Sequence, residues 1–342
     1  MSQAHSNVAV LMPIHGSAPF LEASLLSVAA EAALSSQRGI SVEVLLVLDR
    51  PSKEAERTVA AFEARSPDVR VLETTKPGIA QALNCGIAAA RSTFIARLDS
   101  DDLMLPGRLE SQVRAFDTKD SPLLVGGQFV RWSNGRIRTT SNLPLDSARI
   151  SRALHRGVHA ISHSSVMIPT SVLRRNGGYA DVHLAEDWDL FLRLSQEGPL
   201  NNLERSVIVY RFHGTSETGK QLVSVHKQIR CVILEHRATS DPSKLSHRPS
   251  SGIDRGVTLL LAYSRAISQV AYRRSLASSS TSLRYLWLAC AALLDPVTSM
   301  IRVGGQLRGN QRRTDAQLAE DQRVPRSRPT ARELGEVTAD TT

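Results

Sequence analysis

"FIARLDSDDLMLPGRL", Phe94 to Leu109, carries three aspartates within four residues, Asp99, Asp101 and Asp102, at the end of an apolar run. Acidic triplets usually belong to solvated loops, far from a buried strand. Carboxylates one residue apart at a strand end have another use. They can hold a hard divalent cation such as Mg²⁺, which takes oxygen donors and keeps positions for water and phosphate. Asp-x-Asp alone is a weak motif, with a solvated loop as the competing reading, so the flanking sequence has to decide between them.

Upstream, apolar runs and helical spacing alternate. Asn7–Ile14 ("NVAVLMPI"), Val42–Asp49 ("VEVLLVLD"), Val69–Glu73 and Thr93–Asp99 read as strands. Between them, Phe20–Ala33, Glu54–Ala64 and the stretch after the Gly78 turn read as helices. Near-continuous apolar strands separated by helices predict an open, mostly parallel sheet covered on both faces. Ligands of such sheets lie beyond the carboxyl ends of the strands. Asp49 and the Asp99–Asp102 group fall at such ends, so the pattern aims these carboxylates at the functional edge. Beyond Leu105 the pattern changes. Leu123–Trp132, His163–Pro169 and Ser206–His213 read as strands without regular crossover helices, and Glu186–Gln196 as a helix with Leu190, Phe191 and Leu194 on one face. A mixed second half on the same sheet is expected.

The chain has 342 residues, 42% of them hydrophobic, enough for a sizeable core, and a net charge of +9. That charge is uneven: residues 220–313 hold fifteen Lys/Arg against four Asp/Glu. A basic segment of this kind suits an anionic partner, either nucleic acid or a membrane surface. Cys85, Cys231 and Cys290 have no metal-ligand spacing and imply no disulfide framework, which fits a reducing compartment. The opening "MSQAHSNVAV" has neither a basic n-region nor a long apolar h-region, so no signal peptide is expected. Helices are expected at 221–239, 256–277 and 282–301. The last is too short to span a bilayer and is interrupted at Asp295-Pro296. From Gly304 the composition predicts disorder.

Five blocks in order carry a resemblance over residues 7–218. They are "VAVLMPIHG", "VEVLLVLDRPS", "KPGIAQALNCGIAAARSTFIARLDSDDLMLPGRLESQ", "ISHSSVMIPTSVLRRNGGYADVHLAEDWDLFLRL" and "YRFHGTSET". Together they resemble a non-processive, bacterial-type family 2 glycosyltransferase with the Rossmann-like GT-A fold. The resemblance implies an α/β catalytic domain over 1–218, a basic helical extension over 219–303 and a tail over 304–342. It also implies roles by position. Pro13, Ile14, His15 and Asp49 would line the nucleotide pocket, with Asn84, Arg97, Asp99 and Ser100 completing the nucleotide-sugar site. Asp101, Asp99 and His213 would hold Mg²⁺ or Mn²⁺, and Arg211 the diphosphate. Asp187 would be the catalytic base, with Glu186, Trp188 and His163 on the acceptor side. Two departures stand out. His15 replaces the family's usual tyrosine, and Arg50-Pro51 replaces the acidic and glycine residues that usually follow the first aspartate.

These types suit the chemistry. Charge builds on the diphosphate leaving group and a divalent cation offsets it; a carboxylate on the other side takes the acceptor's proton. Asp187 opens an amphipathic helix whose dipole is expected to favour its ionised form. Blander readings stand beside each role. Asp49 is open to capping the helix that follows, and Glu186 and Asp187 to capping theirs. His163 is open to being a satisfied core histidine, Trp188 and Trp132 to packing, Asn84 and Arg97 to bracing, and Arg108 to pairing with nearby acids.

The implied activity is inverting, metal-dependent transfer from a nucleotide-diphosphate sugar, UDP-linked first, to a glycan or lipid-linked acceptor in cell-surface polysaccharide or glycolipid synthesis. The implied place is the cytoplasm, with peripheral contact at the inner face of the plasma membrane through 219–313. Nucleic acid is not expected, since no binding motif or aromatic–basic platform occurs. Two alternatives stay open. A nucleotidyltransferase would want a Gly-rich basic loop after the first strand, which "PIHGSAPF" lacks. A non-catalytic nucleotide-sugar-binding protein would be expected to have lost one of Asp99, Asp101 or Asp187.

Overall fold

An apolar run with no helical spacing hides both its faces only inside a covered sheet. The computed structural model, which describes residues 7–133, 136–212 and 222–240, puts the four N-terminal runs in such a place. They form β1 (Asn7–Gly16), β2 (Ser41–Pro51), β3 (Val69–Glu73) and β4 (Phe94–Arg97), all parallel, in the order β3-β2-β1-β4. Helices α1 (Leu21–Ser36), α2 (Lys53–Glu63) and α3 (Ile79–Ala89) connect them. Alternate β1 side chains feed two cores. Val8, Val10, Met12 and Ile14 pack with Leu21, Leu25 and Leu46 on one face, while Ala9 and Leu11 pack with Leu83 and Phe191 on the other. Each such fully buried aliphatic side chain contributes roughly 1.5–3 kcal/mol.

The chain moves outward from β1 to β3, then returns to place β4 on the other side of β1. That reversal opens a crevice at the carboxyl ends of β1 and β4, the usual ligand position in an open α/β sheet. Asp99 emerges there, two residues after β4 ends.

The second half extends the same sheet. It comprises β5 (Leu103–Met104), α4 (Arg108–Phe116), β6 (Leu124–Ser133), β7 (Arg136–Thr140), α5 (Ser147–His155), a 3-10 turn (His163–Ser165), β8 (Met167–Pro169), α6 (Thr170–Arg175), α7 (Glu186–Glu197) and β9 (Leu200–Arg211). The order continues β4-β8-β6-β9-β5, with β7 pairing β6. The β8 pairings with β4 and β6, and the β5–β9 and β6–β7 pairings, are antiparallel; β6 and β9 run parallel. The sheet is therefore mixed, as expected. A last described helix, α8 (Leu222–Ser240), buries Val232 and Ile233 in the core that contains α7.

Two expected strands differ in extent. His163–Pro169 is only half strand, because Ser165 bonds backward through its N–H and its hydroxyl to the Ser162 carbonyl, at 2.9 and 2.8 Å. Such local bonds compete with a ladder. In turn, β9 begins six residues before Ser206. Its early, polar half is held by Asn202, which donates to the Pro144 and Ala160 carbonyls at 2.7 and 2.8 Å. The helices expected at 256–277 and 282–301, and the tail from 304, lie outside the described residues.

Candidate active site

The acidic loop is built backbone first. Leu98 donates to the Leu11 carbonyl at 3.1 Å, which ties the end of β4 to β1. The Asp99 N–H then donates to Ser164 Oγ at 3.0 Å, and the Ser24 hydroxyl reaches the Asp99 carbonyl at 3.3 Å. Asp102 N–H closes the turn on the Asp99 carbonyl at 3.2 Å. The two-residue β5 pairs with the end of β9, so the Arg211 N–H reaches Asp102 Oδ1 at 2.9 Å. Three distant segments thus fix a loop of four residues.

Its carboxylates converge. One oxygen from each of Asp99, Asp101 and Asp102 lies within 4.8 Å of the others. Asp102 is fully buried, and its Oδ2 has no hydrogen-bond partner among the described residues. Burial pushes the Asp102 carboxyl well above the usual carboxylate range, and the charges of Asp99 and Asp101 push it further. Crowded oxygen donors whose ionisation is costly are what a hard cation relieves, so these residues fit Mg²⁺ or Mn²⁺. The sequence pattern names Asp99 and Asp101 for the cation, and the structure brings Asp102 into the same cluster, for which the unbroken Asp101-Asp102 pair is the sequence signal. His213 lies outside the described residues.

Arg97 stands behind this cluster, buried. Its guanidinium forks onto Asp99, Nη1 donating to Oδ2 at 2.6 Å and Nη2 to Oδ1. Both Nη groups therefore bond Asp99, while the buried Nε has no hydrogen-bond partner among the described residues.

Across from the cluster, α7 presents Glu186 and Asp187. Burial, then the charge of Asp187, pushes the Glu186 carboxyl up to about 8. Asp187 Oδ1 accepts the Trp188 N–H at 2.7 Å. Burial still raises its pKa, although that N–H and Arg97 pull it back. The helix dipole therefore does not dominate, contrary to expectation: removal from water is the larger effect. Burial raises the Asp99 carboxyl against the pull of Arg97, and the charges of Asp101 and then Asp187 add to that rise. The two acidic groups share one field, with the Arg97 cation in it.

His163 Nε2 lies 2.9 Å from the Tyr179 hydroxyl, and its Nδ1 lies 4.0 Å from Glu186 Oε1. Burial, then the Arg97 charge, holds its pKa well below the usual histidine range, so the ring is neutral at pH 7. Asn84 corrects another expectation. Its amide donates to the Tyr179 carbonyl and accepts the Tyr179 N–H, both at 2.8 Å, so it braces the Gly177–Tyr179 turn. Gly178 has φ +69°, and a Cβ there would strike Asn84 Oδ1. Trp188 is a core residue, buried with its indole N–H on the Leu154 carbonyl at 3.3 Å, and is not on an acceptor-facing surface.

At the other end of the crevice, Asp49 is buried. It accepts the Gly78 N–H at 3.0 Å and the Arg50 Nε at 3.1 Å. It does not cap α2; Ser52 does, accepting the Ala55 N–H at 3.2 Å. His15 is exposed, with Nδ1 2.8 Å from the Asp49 carbonyl. Pro13 is buried and the Ile14 side chain is core, so only their backbone is left to line a pocket. Ser100 sits half-buried in the acidic turn. Arg108, read as an ion-pair partner, is instead fully buried and donates to the carbonyls of Ser164, Arg97 and Val166 and to Gln112, at 2.8–3.2 Å.

The chain resembles known proteins in sequence and in fold. The family model described as "Glycosyl transferase family 2" matches residues 9–177. The amylovoran biosynthesis glycosyltransferase AmsE of Erwinia amylovora is 28% identical over 163 residues, 47% of this chain and 61% of its own length. The match spans 37% of the length of an uncharacterized glycosyltransferase of Rickettsia conorii and 61% of that of AmsE. Among solved structures, S. aureus TarS 1-349 in complex with UDP-GlcNAc superposes with TM-score 0.53 at 14% identity, over 87% of this chain and 92% of that one. The Pyrobaculum calidifontis mannosyltransferase PcManGT, in complex with GDP-Man and Mn²⁺, gives TM-score 0.51 at 16% identity, over 91% and 89%. Both likenesses are of fold.

Proposed function

Because the chain belongs to glycosyl transferase family 2 and is a glycosyltransferase, we propose that it transfers a sugar from a nucleotide-diphosphate donor to an acceptor hydroxyl, with inversion and with a divalent cation. The observation that carries this reading is the shared field of two acidic groups: the Asp99–Asp102 cluster at the β4 end and the Glu186–Asp187 pair on α7. One side suits a metal and a diphosphate; the other suits a proton acceptor.

A cation held by Asp99, Asp101 and Asp102 would offset the charge that builds on the departing nucleoside diphosphate. Arg97 keeps the Asp99 carboxylate oriented, and the Arg211 backbone N–H holds Asp102. Asp187 takes the acceptor proton on a carboxylate oxygen as the acceptor oxygen attacks the anomeric carbon. A base raised toward working pH is the stronger one. Glu186, neutral at pH 7, leaves the single charge of the pair on Asp187. Direct displacement inverts the anomeric centre, so an α-linked donor gives a β-linked product. In this reading Asp49 and the Pro13–His15 backbone would hold the nucleobase, and His163 would stand on the acceptor side.

UDP-sugars are the first donors to try, given the UDP-GlcNAc bound by TarS, with GDP-sugars next, given PcManGT. AmsE, an amylovoran biosynthesis glycosyltransferase, supports a role in polysaccharide synthesis; the acceptor in this reading is a hydroxyl of a glycan or lipid-linked acceptor. No helix among the described residues is long and apolar enough to cross a membrane. Contact with the inner membrane face would fall to the basic 219–313 region.

The test is nucleotide release from UDP-, dTDP- and GDP-sugars with Mn²⁺, Mg²⁺ or chelator. Metal-dependent release from one donor, abolished in Asp101→Ala and Asp187→Ala, is expected. No release, together with no metal-dependent thermal shift by any donor, would overturn the proposal.

A further inference from the structure

Arg211 ends β9 in an unusual setting. Its guanidinium carbon lies 4.7 Å from the Phe20 ring centroid and 5.6 Å from that of Trp132. The two rings meet edge to face, 6.4 Å apart at 77°. Phe20 precedes α1, while Trp132, next to last in β6, lies directly across the ladder from Arg211. The Arg211 backbone is fixed by Asp102, and its Nη1 is buried with no hydrogen-bond partner among the described residues.

A flexible arginine beside three carboxylates should fall onto them and cancel the charge a metal needs. An aromatic face attracts a guanidinium without competing for its N–H donors. It also removes rotamer freedom before any ligand arrives. We propose that Phe20 and Trp132 are positioning residues: they hold Arg211 clear of the acidic cluster, with donors presented to the oxygens of the donor's diphosphate. The inference rests on the nucleotide-sugar reading and adds two residues to it.

Simple packing is the rival account, and a double-mutant cycle separates the two. Isothermal titration would measure UDP, dTDP and GDP binding with Mn²⁺ in the full chain. The set comprises wild type, Phe20→Leu, Trp132→Leu and Trp132→Phe, each also combined with Arg211→Ala. The leucine variants should bind the diphosphate about two- to thirtyfold more weakly, the range a cation–π contact supports. Trp132→Phe, which keeps an aromatic face, should recover most of that loss. In the Arg211→Ala background, Phe20→Leu and Trp132→Leu should cost nothing further. Wild-type affinity in both leucine variants, or a loss that persists undiminished without Arg211, overturns the inference alone. Wild type binding none of the three diphosphates would overturn the nucleotide-sugar reading and this inference with it. Should Trp132→Leu melt far below wild type, the Phe20 arm decides, since Phe20 is half-buried in a loop.

Discussion

Glu186 and Asp187 are neighbours with different fates. Both are pushed up by burial, but Glu186 reaches about 8, with the charge of Asp187 as the second cause. The folded protein therefore keeps the Glu186 proton to higher pH than the unfolded chain does. Between about pH 4.5 and 8 the native state binds the extra proton, so Glu186 makes stability fall as pH rises. His163 works the other way: its depressed pKa makes the unfolded chain bind more protons, so it adds stability as pH rises through the histidine range. The difference between variants isolates Glu186. Glu186→Gln, a neutral isostere, should melt close to wild type near pH 5 and about 3–8 °C above it near pH 8. Thermal unfolding across that range checks it, and parallel curves would refute it. Glu186→Gln should also keep transfer activity within about tenfold at pH 7, because the acid is already neutral there, whereas Asp187→Asn should lose at least about a hundredfold.

At the scale of elements, the parallel strands were legible because each carried its own signal: an apolar, β-branched run ending at a turn. The acidic loop was legible for the same reason, since Asp99 follows directly on such a run. Contacts that depend on which strands become neighbours were not. Nothing local in "PGRLESQ" says that Arg108 will be fully buried, gripping carbonyls from β4 and from the turn and strand around Ser164 and Val166. Asn84 and Trp188 were misplaced for the same reason: their types suit a binding site, but their partners, Tyr179 and Leu154, are set by topology. Arg108 links the end of β4 to the turn at Ser164, and the planar fork is what lets one side chain reach several carbonyls. Arg108→Lys keeps the charge but cannot satisfy the Arg97, Ser164 and Val166 carbonyls together. It should lower unfolding free energy by about 2–4 kcal/mol, read from urea midpoints at unchanged slope. An unchanged midpoint would show that the grip contributes nothing.

For the whole molecule, the question is where the catalytic body stops. A boundary at residue 218 follows from where the resemblance ends, yet α8 begins four residues later and is seated on α7. Val232 and Ile233 are buried there, and His236 Nε2 lies 2.9 Å from Asp189 Oδ1. Asp189 is also bonded by Arg193 at 2.9 Å, and it lies two residues past the proposed base. Removing α8 would expose apolar surface on the helix that carries Asp187 and strip a partner from Asp189. Most of the excess positive charge, by contrast, lies beyond 240. These two facts predict a split. A chain ending at residue 240 should melt within a few degrees of the full chain, while one ending at 218 should melt at least about 5 °C lower, as a loss of about 2 kcal/mol implies for a body of this size. Membrane contact should divide differently. The full chain should sediment with vesicles containing anionic phospholipid at low salt and be released as ionic strength rises, because screening weakens surface charge attraction. The chain ending at 240 should remain in the supernatant. Equal sedimentation of the two would move the membrane-facing surface onto the catalytic body, and no sedimentation of either would leave the basic region to a different anionic partner.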